Sequence, residues 1–252
     1  MMPLTDEVDR ARASFIDRIG IYPPLAWGYV GLLLFMIGDG VESGYLSRYL
    51  VDRGFSEQSV AMVFTGYGLT AAVAAWLSGA LSDLWGPRRV MAVGLGVWIV
   101  FQAALLLFGV APNSYPAIFL FYTLRGFGYP LFAFGFLVWV TAATPRARLG
   151  TAVGWFWFAF TGGLPTLGSL FASESVPRVG AYATLWLALG LVIVGGLIAL
   201  VGLREPTGRR RLAPEGEDPL FTLLSGVTIA WREPKIAIGC IVRIINTAPQ
   251  FG

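Results

Sequence analysis

Residues 25–50, 58–82, 89–110, 116–143, 149–172 and 179–202 form six long apolar runs. A helix that crosses a bilayer needs about 20 mostly apolar residues, and each run supplies them. Within hydrocarbon a backbone must satisfy its own hydrogen bonds, so runs of this length specify helices. The connections near 51–57, 83–88, 111–115, 144–148 and 173–178 leave little room for soluble domains. Composition agrees, with 56% of residues hydrophobic and 13% charged, where a soluble domain carries about a quarter charged residues. The expected fold class is therefore all-α and polytopic. The 14% aromatic content fits interface belts and a ring-lined cavity alike.

Four units are expected along the chain: a cytoplasmic segment over 1–24, a six-helix bundle over 25–202, a central cytoplasmic loop over 203–234, and a seventh apolar run over 235–252 cut at Gly252. Residues 1–22 are charged and mixed, unlike a signal peptide. Orientation follows from arginines in the loops. Arg10, Arg12 and Arg18 precede the first run; Arg88 and Arg89, Arg146 and Arg148, then Arg204, Arg209, Arg210 and Arg211 follow the even-numbered runs. The alternate loops hold Arg48 and Arg53, then none, then Arg178. The richer set should be cytoplasmic, with the N-terminus inside the cell inner (plasma) membrane. The net charge of +3 is thus read as topology, not as nucleic-acid binding. Ser56 is expected to cap the second helix. Pro130 and the Gly162-Gly163-Leu164-Pro165 stretch are expected to kink the fourth and fifth runs.

Four charged residues remain at depth: Asp39, Glu42, Arg125 and Arg243. Each costs a few kcal/mol to insert, about 2.5–3.5, so a function or a partner is expected. Counting the rise per residue places Asp39, Glu42 and Arg125 roughly 12–16 Å from the outer face. Arg243 falls in a layer nearer the inside. Asp39 and Glu42 stand three residues apart and so share a helix face. Two adjacent carboxylates repel as anions, and a proton held between them relieves that repulsion. With Arg125 at the same level they are expected to line a polar site that binds a small polar solute and takes up protons. The alternative is a structural ion pair in which Arg125 neutralises Asp39 and locks two helices together. Tyr45, Gln102, Tyr122, Trp155, Trp157, Asn246 and Gln250 are further candidates for the same space, each also readable as packing. Of these, Gln102, Tyr122 and Asn246 join the three charged residues as expected site residues. The sequence has no histidine and one cysteine, Cys240. No metal-ligand spacing or nucleophile motif is present, so neither an enzyme, a metal nor a cofactor is expected.

The segment GALSDLWGPRR, Gly79 to Arg89, resembles the signature loop of the major facilitator superfamily. Gly79, Leu81, Ser82, Asp83, Gly86, Arg88 and Arg89 match that pattern, while Leu84 stands where a base is usual and Pro87 is an added departure. The resemblance implies a conformational-switch role for Gly79, Asp83, Gly86, Arg88 and Arg89. LRGFGYP in the fourth run is similar to a second signature, with Arg125 as its arginine. MIGDGVESGYLSRYL, FYTLRGFGYPLFAF, AVGWFWFAF and IVRIINT resemble the ribitol and D-arabinitol (polyol) permeases of that superfamily. This implies proton-linked symport of a sugar alcohol by two six-helix bundles, of which the chain would be the N-terminal bundle plus the start of a seventh helix. The C-terminal half would then be required for a complete carrier, and the chain would be a fragment. Two rival solutes stay open. TGGLPTLGS carries residues related to an exporter pattern in another order. Arg125 with Arg243 would suit an organic anion, against the two acids nearby. A non-transporting fragment is the remaining alternative.

Overall fold

The computed structural model describes residues 19–213; the expected seventh run, Arg243, Asn246, Gln250, Cys240 and residues 1–18 lie outside them. Every regular element among the described residues is helical. They are α1 (Ala26–Gly40), α2 (Leu46–Asp52), α3 (Glu57–Trp85), α4 (Pro87–Ala104), α5 (Tyr115–Arg125), α6 (Gly128–Ala143), α7 (Leu149–Thr161), α8 (Gly168–Val179) and α9 (Ala181–Gly202). Short 3-10 and π turns continue several of these into longer rods. Val41–Gly44 links α1 to α2, Leu105–Val110 extends α4, and Gly162–Leu167 joins α7 to α8.

Five of the resulting rods are long and apolar enough to cross a membrane: Pro23–Asp52, Glu57–Trp85, Pro87–Val110, Tyr115–Ala143 and Ala181–Gly202. The expected fifth run is helical as well, from Leu149 to Val179. Thr161, Thr166, Ser169, Ser173, Glu174, Ser175 and Arg178 leave it more polar than the other five. The outward faces carry large apolar side chains, with Leu69, Val100, Phe108, Leu170 and Val201 exposed. A helix that is apolar all round is a helix solvated by lipid.

Small residues set the closest packing. An added Cβ at Gly31 would meet the Gly195 carbonyl and Ala199, and one at Gly38 would meet the Ala188 carbonyl and Val192. α1 and α9 therefore lie backbone to backbone, the contact that drives helix association in lipid, where apolar burial contributes little. The main core gathers Phe35, Trp98, Phe132, Phe136, Trp139 and Phe156. Phe35 and Phe132 stack with centroids 4.2 Å apart.

The helix ends follow local chemistry. Ser56 Oγ accepts from the Ser59 amide at 3.1 Å and caps α3, as expected. The fourth run breaks at Gly126-Phe127, not at Pro130. Pro130 sits in the first turn of α6, where its missing N–H has no intrahelical acceptor to lose. The expected distortion at 162–165 is present as a π turn containing Pro165.

Candidate functional site

The first and fourth runs are both interrupted, and their interruptions face each other. α1 ends at Gly40, so Asp39 lies in its last turn and Glu42 in the 3-10 turn that follows. Arg125 is the last residue of α5. Non-helical backbone at such depth is tolerated where it is buried in protein or lines a cavity. Here it does both, beside a cavity of about 1230 Å³ whose wall includes Asp39, Glu42, Tyr67, Tyr122, Arg125 and Tyr129.

Arg125 is 1% exposed and Glu42 equally so. Arg125 Nη1 donates to Glu42 Oε1 at 2.5 Å and to Gln102 Oε1 at 2.5 Å. Gln102 Nε2 donates to the same Glu42 oxygen at 2.8 Å. The three side chains close a ring of hydrogen bonds in which the amide serves both charges. The guanidinium also stands over three aromatic faces, 4.5 Å from the Tyr122 centroid, 4.9 Å from Trp98 and 5.3 Å from Tyr67. Each ring face attracts a cation, more strongly where water is excluded. Glu42 Oε2 and Arg125 Nε are buried without a partner among the described residues.

Asp39 is held differently. Trp98 Nε1 donates to its Oδ1 at 2.6 Å, and Tyr67 Oη donates to the same oxygen at 3.4 Å. Its nearest donors are thus neutral. The alternative reading paired Arg125 with Asp39; the structure pairs it with Glu42, because the 3-10 turn carries Glu42 towards α5 and leaves Asp39 facing α3 and α4.

The structure brings together five expected residues: Asp39, Glu42, Gln102, Tyr122 and Arg125. Asn246 lies outside the described residues. Tyr45 lines the cavity and donates its hydroxyl to the Ala181 carbonyl at 2.8 Å. Trp155 is turned elsewhere, donating to the Ile19 carbonyl at 2.9 Å. Sequence reasoning missed Trp98 and Tyr67. Both lie at the depth of the acids, Tyr67 ten residues into α3, about 15 Å along it, and that count is the signal that would have found them.

The loop from Gly79 to Arg89 joins α3 to α4 through Gly86, whose φ of 85° suits glycine and few other residues. The chain after α9 folds against this loop. Arg88 Nη1 donates to the Leu203 carbonyl at 2.9 Å, and the amides of Leu212 and Ala213 donate to the Asp83 carbonyl at 2.9 and 3.0 Å. Trp139 Nε1 donates to Glu205 Oε2 at 2.6 Å, and Gly208 packs on the Trp139 ring. Burial alone would raise the Glu205 carboxyl. Hydrogen bonds from Thr207, Trp139 and the Gly208 amide outweigh burial and hold it below the usual carboxylate range. Gly79 has open space beside it, and Arg89 is exposed.

A chamber walled by interrupted helices within an all-helical membrane protein defines a class, polytopic proteins with an intramembrane polar site. Comparison with known proteins narrows it. Residues 28–251 match the Major Facilitator Superfamily, and the chain belongs to that family. The relatives that it matches are named as permeases and transporters. An alpha-ketoglutarate permease of Bacillus subtilis is 44% identical over 96% of this chain and 55% of its own length. A D-arabinitol transporter of Klebsiella pneumoniae is 37% identical over 93% of this chain and 55% of its own. A ribitol transporter of the same organism is 38% identical over 90% and 54%. The chain therefore spans about half the length of the curated relatives it matches.

Proposed function

We propose that this chain forms the N-terminal, six-span half of a proton-linked carrier for an uncharged acyclic polyol such as ribitol or D-arabinitol. The carrying observation is the way the chamber's charges are spent. Arg125 is answered by Glu42 and enclosed by rings, so no unpaired cation faces the cavity from it. Arg48, also on the cavity wall, pairs with Asp52 at 2.9 Å. A neutral solute bearing both donors and acceptors suits such a wall, with tyrosine faces against its C–H groups. Identities of 37% and 38% to a D-arabinitol and a ribitol transporter support the same reading.

In this mechanism Asp39 takes the coupling proton. Both of its hydrogen bonds use Oδ1, which leaves Oδ2 for the proton. Protonation removes the net negative charge of the Asp39, Glu42 and Arg125 cluster, and a neutral cluster crosses the closed state at lower cost. The loop from Gly79 to Arg89, fastened to the segment after α9, would act as the conformational switch. The arginine distribution supports an N-terminus and a 203–213 segment on the cytoplasmic side of the inner membrane.

The alpha-ketoglutarate permease, at 44% identity, favours a second reading, a dicarboxylate carrier. A carboxylate would have to displace Glu42 from Arg125 or approach two acids. Uptake of radiolabelled ribitol, D-arabinitol and alpha-ketoglutarate separates the two. It is measured in cells making this chain, and in cells making a full-length carrier that has the chain as its first half. Polyol uptake that is pH-dependent, sensitive to uncouplers and lost with Asp39→Asn supports the first reading. Alpha-ketoglutarate uptake without polyol uptake transfers it to the second. Polyol uptake indifferent to pH and uncouplers removes the proton.

A further inference from the structure

Trp98 touches both charged systems of the chamber at once. Its N–H edge is bonded to Asp39 Oδ1 at 2.6 Å, while its ring face lies 4.9 Å from the Arg125 guanidinium carbon. It is fully buried and comes from α4, a helix that supplies neither charge. Asp39 and Arg125 are thus joined through an indole instead of directly. We propose that Trp98 is a positioning residue that transmits the protonation state of Asp39 to the Arg125–Glu42 pair.

The physics is a polarised chain of contacts. An N–H donating to an anion forms a charge-assisted bond, roughly twice as strong as one to a neutral acceptor. That bond pushes electron density into the ring and strengthens its hold on a cation at its face. When a proton from chamber water settles on Asp39 Oδ2, Oδ1 becomes a carbonyl oxygen. The indole N–H bond weakens, and the ring face loses part of its attraction for Arg125. Arg125 then relies on Glu42, Gln102, Tyr67 and Tyr122. Release of one contact in five loosens the end of α5 at the Gly126-Phe127 break.

The other groups facing Asp39 are identifiable. Glu42 follows it on its own rod, Tyr67 comes from α3, Tyr122 and Arg125 from α5, and Tyr129 from α6. α9 presents Ala188 and Val192 beside Gly38, with no charge. Trp98, beside these, bonds the carboxylate with an edge and holds the guanidinium with a face. Tyr67 has the same two neighbours, but its bond to Asp39 is 3.4 Å long, and a hydroxyl can turn to accept where an indole N–H cannot.

This inference rests on the proton-linked reading, and its test needs no solute. The protein is labelled with 5-fluorotryptophan and its nine tryptophan resonances are followed by fluorine NMR from acid to alkaline pH in detergent. Trp98→Phe assigns the Trp98 resonance. Should that variant fail to fold, Trp98→Tyr assigns it instead. The Trp98 resonance is expected to titrate in the parent, to become flat in Asp39→Asn, and to titrate still in Glu42→Gln. A resonance that titrates unchanged in Asp39→Asn, or goes flat only in Glu42→Gln, overturns the proposal. In the transport assay Trp98→Phe keeps a ring face for Arg125 and loses the N–H. Its uptake profile is expected to move to the alkaline side, since the Asp39 anion has lost a donor. A profile that only falls in height, at unchanged midpoint, would mark Trp98 as packing. A titrating resonance without polyol uptake would leave this inference standing and sink the polyol reading alone.

Discussion

Glu42 and Arg125 meet at 2.5 Å across the breaks of two helices, each residue 1% exposed. The pair forms where neither helix is continuous, so it fixes the relative position of four half-rods at one point. Removing one partner leaves the other charge buried. Glu42→Gln is expected to cost about 3–5 kcal/mol, the scale for breaking a buried pair. Pairing it with Arg125→Gln should recover part of that loss. Thermal unfolding in detergent of the two single variants and the double variant checks this, and equal losses in all three would contradict it.

Gly40 is a second fixed point. A Cβ there would run into the Leu164 main chain, which has no flexible atom to give way. Gly40→Ala should therefore lower stability by about 1–3 kcal/mol, as overpacking does. Gly68, also on a rod, has nothing within 4 Å, so Gly68→Ala should gain about 0.5–1 kcal/mol from helix propensity. Opposite signs of the two changes in melting temperature are the expected result.

Ser56 carries the start of α3. Ser56→Ala removes the acceptor for the Ser59 amide and should cost about 1 kcal/mol. Hydrogen exchange at the Ser59 amide should rise more than at amides in the middle of α3. An unchanged rate there would show that the cap contributes nothing.

Glu205 gives a pH dependence. Its carboxyl is held below the usual range in the folded protein, so the unfolded chain binds its proton first as pH falls. Its contribution to stability is full above the unfolded pKa and is lost as pH falls through the lower folded value. The stability gap between the parent and Glu205→Gln should be widest near neutrality and narrow through the acid carboxylate range. A gap that widens on acidification would refute the clamp to Trp139 and Thr207.

Much of the architecture is legible from apolar length alone, because lipid demands long uninterrupted runs and the loops are short. The level shared by Asp39, Glu42 and Arg125 follows from counting residues from one face, and the structure unites them. The pairing was not legible. A straight helix puts Asp39 and Glu42 on one face, and nothing in Gly-Asp-Gly-Val-Glu announces that the helix tightens at Val41 and turns Glu42 alone towards α5. Pro130 drew attention from the real break at Gly126-Phe127, since a proline in a first turn distorts nothing. Trp98 and Tyr67 were hidden by their type, for aromatic side chains in mid-span read as core until their depth is matched to the acids.

The contact between Gly40 and the Leu164 main chain has a bearing on how such a chamber can change through descent. Gly168 returns to Gly40 from the same rod, so this contact is backbone laid on backbone, and neither glycine has a side chain to trim. Mutation can enlarge or shrink the space without touching this contact through the side chains that line it, such as Phe64, Ala71, Ala72 and Ala75 on α3 and Phe134 on α6. Divergence among descendants that accept longer or shorter molecules should therefore be written in those lining side chains, while Gly40 and Gly168 stay as they are.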